Sequence, residues 1–184
     1  MTVEEQMNTL TNKIDLERTL KTCKTCYNSV NLGSNIICHA ELSSLKVPKS
    51  SRRKHIGFII NSSCDPDIIG HWYTCLIIEP NLFLICDGLN VILKQKNVVK
   101  NMKQFCDINS LKMIDLNIRY QSKNSLYCGF LSLFWISIYA EYSSSKFRRL
   151  LYCFKKNSIK SNEKYMLSHV HKHFKLNINS SPFS

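Results

Sequence analysis

The fold of this chain depends on Gln121-Ser-Lys-Asn-Ser-Leu-Tyr-Cys128-Gly-Phe130, a polar segment that leads into a thiol at the start of an apolar run. From Cys128 to Tyr142 the side chains are nearly all apolar or small, and they cover every side of a helical wheel. A helix that is apolar all round is buried, so the run predicts a central helix with Cys128 on its first turn. The N–H groups at a helix start stabilise a thiolate, which makes Cys128 a candidate nucleophile.

Cys128 alone does not establish a catalytic function, because an unpaired cysteine is among the most often buried residue types and usually fills space. A cysteine nucleophile also needs a base, a group that orients the base, and a donor for the developing oxyanion. Earlier in the chain, His71 is the candidate base, Asp87 the candidate acid and Gln121 the candidate donor. Residues of these types at strand ends are mostly structural or solvated, so their arrangement decides the matter.

A predicted β-hairpin brings two of these candidates together. Runs of aromatic and aliphatic residues predict strands over Trp72–Ile78 and Leu82–Cys86, and Glu-Pro-Asn at 79–81 predicts the turn between them. In an antiparallel hairpin the start of one strand lies beside the end of the other, which predicts that His71 and Asp87 are neighbours. The carboxylate then orients the imidazole, and the imidazole takes the proton of the thiol.

Two further strands are predicted, over 55–61 and 114–120. In the second, apolar residues alternate with polar ones, as in a half-exposed strand, and this strand leads directly into Gln121. The side-chain amide of Gln121 and the backbone N–H of Cys128 are suited to form an oxyanion hole. Apolar residues at helical spacing predict additional helices over 3–14, 92–105, 145–154 and 162–174.

Length and composition predict a single domain over residues 1–184, with a helical or irregular N-terminal part over 1–45 and a frayed tail over 177–184. No apolar run reaches the ~20 residues that cross a bilayer, so no membrane span is predicted. The nine cysteines are odd in number and no secretory signal precedes them. Free thiols in a reducing compartment are therefore expected, and secretion is not.

The formal net charge is +12, and it is uneven along the chain. Residues 143–184 hold nine Lys or Arg residues against one acidic residue, Glu163, which leaves +8 for this segment. Such a surface suits a polyanionic partner such as DNA, bound without sequence specificity. A solvated basic face that keeps the protein soluble explains the same pattern equally well.

Cysteine spacing raises the question of a zinc site. Cys23 and Cys26 form a CxxC pair, and Cys38 and His39 follow twelve residues after it. Adjacent Cys38 and His39 would struggle to ligate one ion together, and a four-ligand zinc site usually shows two well-spaced pairs. Cysteines that fill space in the core are therefore the favoured interpretation.

Histidine spacing raises the same question near the end of the chain. His169 and His173 lie one helical turn apart, a spacing that suits metal binding. Lys172 and Lys175 surround them, so a solvated basic face is the favoured interpretation. No metal ion and no other required cofactor is predicted.

The order and context of the four candidates resemble one known family. The adenovirus-type cysteine proteases (the adenain family) show His-Trp, then an acid after a strand hairpin, then Gln, then Cys-Gly. This chain has His71-Trp72, Asp87-Gly88, Gln121 and Cys128-Gly129 in that order. The similarity extends over most of residues 55–175.

The resemblance implies an α+β fold with a papain-like active-site arrangement, in which helices flank a mixed central sheet and the nucleophile lies at the N-terminus of a buried helix. It implies a catalytic triad of Cys128, His71 and Asp87, with Gln121 as oxyanion donor. The implied activity is that of a cysteine endopeptidase, stimulated by DNA in some relatives. Its implied substrates are viral or virus-derived precursor proteins, cleaved in the virion or in the host-cell nucleus or cytoplasm.

Two alternatives stay open. The SUMO-protease branch shares the order His, Asp, Gln, Cys and would make the protein a SUMO or ubiquitin-like isopeptidase. That branch usually has an Asp just before the Cys, where this chain has Tyr127. The second alternative is an inactive basic nucleic-acid-binding protein on the same fold. The presence of all four candidate residues argues against it.

Overall fold

The computed structural model describes residues 13–30, 36–47, 56–65, 68, 70–78, 81–142 and 144–176. Most of the helix predicted over 3–14 lies outside these ranges. The same holds for residues 79 and 80 of the predicted turn and for the predicted tail over 177–184.

Five strands in the described residues form one mixed sheet: β1 (Ile36–Cys38), β2 (Ile56–Asn61), β3 (Trp72–Ile78), β4 (Leu82–Cys86) and β5 (Lys112–Asp115). They lie side by side in chain order. The central pairs β2–β3 and β3–β4 are antiparallel, and the outer pairs β1–β2 and β4–β5 are parallel. The predicted β3–β4 hairpin is confirmed, since Thr74 pairs with Cys86 and Ile78 with Leu82.

The α-helices of the described residues are α1 (Lys13–Lys21), α2 (Lys24–Val30), α3 (His39–Leu42), α4 (Lys96–Asn109), α5 (Cys128–Glu141), α6 (Ser144–Lys156) and α7 (Ile159–His173). A short 3₁₀ helix, Ile92–Lys94, precedes α4. The helices predicted over 92–105, 145–154 and 162–174 are confirmed with small shifts at their ends. None of the described helices is long and apolar enough to cross a membrane.

Helices cover both faces of the sheet, because successive strand residues point to opposite sides. On one face, Phe58 and Phe83 pack against Phe105 of α4, with ring centroids 5.5 and 5.1 Å apart. On the other face, Leu76 belongs to the core that Trp135 of α5 occupies. The predicted α+β class, with a mixed central sheet flanked by helices, is therefore confirmed.

Helix α5 is buried on all sides, as its sequence predicted. Every residue from Gly129 to Ile138 is buried. The helix packs against β3, α2 and α7. A glycine in β2 permits its close approach, since a Cβ atom at Gly57 would collide with Cδ1 of Ile136. The first residue of this tightly held helix is Cys128, so the backbone that carries its sulfur is fixed by packing.

The prediction of a strand over 114–120 was wrong in its extent. Strand β5 ends at Asp115. The Asp115 side chain accepts the N–H of Asn117 at 3.0 Å, and Asn117 adopts a left-handed conformation with φ of 50°. This turn, which favours Asn and Asp, ends the strand before the apolar alternation ends.

The expectation of free thiols fails for one pair of cysteines. Cys38 and Cys64 form a disulfide, with their Cα atoms 5.1 Å apart. This distance lies in the usual range for a disulfide. The other seven cysteines are free.

Candidate active site

The β3–β4 hairpin places His71 and Asp87 side by side at one end of the sheet. His71 directly precedes β3 and Asp87 directly follows β4, so antiparallel pairing brings them together. The Nε2 atom of His71 lies 2.7 Å from Oδ1 of Asp87, the length of a charge-assisted hydrogen bond. The predicted proximity of these two residues is confirmed.

The Asp87 carboxylate is held in place by backbone groups of the turn that follows it. Oδ1 accepts the N–H of Leu89 at 3.0 Å, and Oδ2 accepts those of Val91 at 2.6 Å and Ile92 at 2.8 Å. Burial alone would raise the pKa of Asp87, but the hydrogen bond and charge of His71, together with these N–H donors, lower it below its usual value. Asp87 is therefore ionised at neutral pH and available to stabilise an imidazolium.

His71 is fixed through both its backbone and its ring. Its N–H donates to Oγ of Ser62 at 2.8 Å, and its carbonyl accepts the N–H of Ser62 at 2.9 Å. Because Nε2 is bonded to Asp87, Nδ1 is the ring nitrogen that remains for Cys128. Burial alone would lower the pKa of His71, but its hydrogen bonds with Asp87 and Cys128, and their charges, raise it to about 9. The imidazole therefore carries a positive charge at neutral pH.

Cys128 receives hydrogen bonds from three directions at the start of α5. Its side chain is hydrogen-bonded to His71, and its sulfur accepts the backbone N–H groups of Trp72 and Gly129. Burial alone would raise the pKa of the Cys128 thiol, but the hydrogen bond and charge of His71 and the two N–H groups lower it below its usual value. The pair is therefore biased toward thiolate and imidazolium, the charge state of a reactive cysteine.

Gln121 is buried against the segment that follows Asp87. Its backbone N–H donates to the carbonyl of Gly88 at 3.1 Å. A Cβ atom at Gly88 would lie 2.8 Å from Cβ of Gln121 and 2.7 Å from Cε2 of Tyr120, so the glycine is needed for this close approach. The structure thus places Gln121 against Gly88, the residue that follows Asp87, although the strand predicted to lead into Gln121 ends at Asp115.

The side-chain amide of Gln121 has donor capacity for a ligand. Its Nε2 atom donates to the carbonyl of Ser125 at 2.9 Å. Because an amide nitrogen carries two hydrogens, a second N–H remains. Its Oε1 atom is buried and has no hydrogen-bond partner in the described part of the chain. Most buried polar atoms are hydrogen-bonded, so a buried amide that is only partly satisfied is consistent with a functional role.

One contact that supports this loop was not predicted from the sequence. Oγ of Ser122 donates to Oε2 of Glu163 at 2.7 Å, and the two residues are 41 positions apart. Glu163 is almost fully buried on α7, and it connects the loop carrying Gln121 to that helix. The signal that could have identified it is the presence of this single acidic residue in the basic segment 143–184.

The cysteine and histidine patterns are combined differently from expectation. Cys38 is in a disulfide, so it does not join the CxxC pair. Instead, Nε2 of His173 lies 3.2 Å from Sγ of Cys23 and 3.3 Å from Sγ of Cys26. The sequence favoured a solvated basic face for His173. This interpretation is wrong, because the His173 ring is half-buried and lies against two sulfur atoms.

Comparison of the chain with known proteins finds no matching family model and no matching curated protein. The function is therefore argued from the arrangement of side chains in this molecule.

Proposed function

We propose that the protein is a cysteine endopeptidase, in which Cys128 is the nucleophile, His71 the general acid and base, and Asp87 the residue that orients His71. The observation that carries this proposal is the unbroken hydrogen-bonded line from Asp87 through His71 to Cys128. Core packing alone does not explain why three ionisable side chains, from two strand ends and one helix start, are gathered in one buried place. Catalysis by a thiolate requires this combination.

In the proposed reaction the Cys128 thiolate attacks the carbonyl carbon of the scissile peptide bond, forming a C–S bond and a tetrahedral oxyanion. The Gln121 amide and backbone N–H groups at the start of α5 stabilise this oxyanion. When the C–N bond breaks, the His71 imidazolium gives its proton to the leaving amine. His71 then takes a proton from water as the hydroxide attacks the thioester; the C–S bond breaks, the acid is released, and the Cys128 thiolate and the His71 imidazolium are restored.

We further propose that the enzyme is a member of the adenovirus-type protease family with a papain-like active-site arrangement. The support is that His71, Asp87 and Cys128 of that family's pattern are joined by hydrogen bonds, and that Gln121 packs against Gly88, which follows Asp87. The proposed substrates are viral or virus-derived precursor proteins cleaved during virion maturation. A protease confined to such substrates acts in the virion or in the infected cell.

The direct test is a thiol-reactive activity probe applied to the purified protein, followed by cleavage of a peptide library. We expect Cys128 to be labelled before Cys153, although Cys153 is exposed and Cys128 is half-buried, because pairing with His71 favours the thiolate. Faster labelling of Cys153 would contradict the proposal. Cleavage of ubiquitin-like conjugates, without cleavage of ordinary peptides, would favour the isopeptidase alternative.

Replacing Gln121 with alanine is expected to lower kcat by about 10² to 10³, the usual effect of losing one oxyanion donor. In the same variant, iodoacetamide is expected to alkylate Cys128 at the rate seen in the unaltered protein, because no oxyanion forms in that reaction. The two rates should be measured side by side, with Gln104→Ala as a control, since Gln104 is exposed on α4. An unchanged kcat in Gln121→Ala would assign the oxyanion donor to another group, and a parallel loss of alkylation would indicate a structural role.

The positive charge lies on exposed helix faces, which supports DNA as a further partner. Lys96, Lys100 and Lys103 line one shallow groove along α4. Arg148 and Arg149 are exposed on α6. Neither surface resembles an element that reads base edges, so binding through phosphates alone is proposed.

Duplex DNA is expected to bind weakly and without sequence preference, with log K falling by ~0.9 per phosphate neutralised as log salt rises. A fluorescence titration at two salt concentrations measures this slope, beside a peptide-cleavage assay. The triple variant Lys96→Ala, Lys100→Ala and Lys103→Ala should reduce the slope if α4 is the contact surface, and Arg148→Ala with Arg149→Ala should reduce it if α6 is. Absence of binding at low salt would rule out DNA as a partner, and binding without faster cleavage would exclude activation.

A further inference from the structure

Three potential metal ligands converge where the N-terminal helices meet the ends of α5 and α7. Cys23 lies in the connection between α1 and α2, Cys26 lies in α2, and His173 is the last residue of α7. The sulfur atoms and Nε2 of His173 all lie within 4.8 Å of one another. Cys26 is fully buried, and the other two residues are half-buried. This group shares no residue with the candidate active site.

The distances agree with those of a tetrahedral zinc site. Zinc bonds of about 2.3 Å to sulfur and about 2.0 Å to nitrogen place the sulfur and nitrogen atoms roughly 3.5 Å apart. The observed distances from Nε2 of His173 are 3.2 Å to Cys23 and 3.3 Å to Cys26. The CxxC spacing is also the one by which two neighbouring cysteines usually share a zinc ion.

Glu141, at the end of α5, offers a carboxylate beside His173, but it lies outside the group of three ligand atoms that are within 4.8 Å of one another. Oε1 of Glu141 lies 3.6 Å from Nε2 of His173, close to the roughly 3.3 Å expected between a nitrogen and an oxygen on one zinc ion. The Glu141 side chain is 37% exposed, which leaves a route for the ion from solvent. Two thiolates, one imidazole and one carboxylate match the donor types that zinc accepts.

Hydrogen bonding by His173 alone does not account for this convergence. A single imidazole nitrogen carries either one hydrogen or one lone pair, so it can make one good hydrogen bond. Nε2 of His173 faces two sulfur atoms and one carboxylate oxygen at similar distances. One ion between the two sulfur atoms and Nε2 satisfies these three together.

We propose that Cys23, Cys26 and His173 bind a zinc ion that holds the N-terminal helices against the ends of α5 and α7, and that the exposed Glu141 side chain turns toward the ion as its fourth ligand. Neighbouring His169 takes no part, because its Nε2 atom is hydrogen-bonded to Oγ of Ser137 at 3.0 Å.

The role of this zinc ion is structural. Glu141 is the last residue of α5 and Cys128 the first, and a helix of 14 residues is about 20 Å long. The ion therefore lies far from the proposed nucleophile. It connects helices that come from opposite ends of the described chain, and its four protein ligands leave no position for a substrate.

The test uses the full-length protein, purified without chelators and without added metal. Elemental analysis is expected to find one zinc ion per chain, and replacement by Co²⁺ is expected to produce a thiolate-to-cobalt charge-transfer band. Cys23→Ser and His173→Ala should lose both signals. The matched controls are Cys153→Ser, at an exposed free cysteine, and His171→Ala, two residues before His173 on the same helix. Both controls should keep them.

A stability measurement distinguishes a lost metal from a misfolded variant. A chelator is expected to lower the Tm of the unaltered protein and of the controls, and to leave the already lowered Tm of Cys23→Ser unchanged. Wild-type protein that is folded, holds no zinc and gives no cobalt–thiolate band with Cys23 and Cys26 reduced would overturn the proposal. The proposal would also be overturned if Cys23 and Cys26 are found as a disulfide and the protein binds no zinc after this disulfide is reduced.

Discussion

Replacing Cys128 with alanine is expected to abolish peptide cleavage, with a loss in kcat on the order of 10⁵-fold or more. The substitution removes one sulfur atom and leaves α5 intact, since Gly129 to Ile138 remain buried in the core. The backbone N–H groups of Trp72 and Gly129 donate to this sulfur in the unaltered protein. In the variant they can donate to water, because the position is half-buried. Without the thiolate, no covalent intermediate forms.

The comparison that makes this result specific is with another free cysteine. Cys153→Ala removes an exposed thiol on α6 and is expected to leave kcat and KM unchanged. Circular dichroism and Tm of the Cys128→Ala protein should match those of the unaltered protein. Cleavage that survives in well-folded Cys128→Ala protein would place the nucleophile elsewhere and would refute the proposed function.

Changing the His71–Asp87 pair is expected to have the second-largest effect. His71→Ala should be as damaging as the loss of Cys128, because no group then accepts the thiol proton or protonates the leaving amine. Asp87→Asn should keep partial activity, because an amide can still accept a hydrogen bond from the ring but carries no charge.

The pH profile of Asp87→Asn provides the sharper measurement. The active state needs the Cys128 thiolate and the His71 imidazolium together, so activity rises as the thiol deprotonates and falls as the imidazolium loses its proton. The pKa of His71, raised to about 9, therefore sets the alkaline limb of kcat/KM against pH. Burial still lowers this pKa in Asp87→Asn. The hydrogen bond and the charge of Asp87 both raise it; in the variant the hydrogen bond is weakened and the charge is lost. The alkaline limb should shift to lower pH.

Asp107→Asn is the control for this experiment, because Asp107 is exposed on α4 and is not among the groups that shift the pKa of His71. Its pH profile should coincide with that of the unaltered enzyme. An alkaline limb that stays in place in Asp87→Asn, or moves equally in Asp107→Asn, would show that Asp87 does not govern the charge of His71.

Much of this site could be predicted because its parts depend on short stretches of chain. The run from Cys128 to Tyr142 is apolar on every side, and such a helix can only be buried. The strands on either side of residues 79–81 are close enough in the chain to pair as a hairpin. Once they pair, the contact between His71 and Asp87 follows from strand geometry alone.

Other features needed the folded chain, because they join residues whose separation in the chain carries no pattern. Nothing around Cys23 and Cys26 indicates that His173 lies beside them, and their adjacency requires α2 and α7 to pack on the same helix. The Ser122–Glu163 hydrogen bond likewise depends on where α7 crosses the loop.

The difference has a physical cause. Local periodicity and turn chemistry decide which segments become helices and strands, and these are written in neighbouring residues. The burial of α5, the hairpin and the position of Cys128 at a helix start belong to this class. The pKa values of His71 and Cys128, the close approach of Gln121 to Gly88 and the gathering of Cys23, Cys26 and His173 depend on distances across the core. Such distances exist only after packing has brought distant segments into contact.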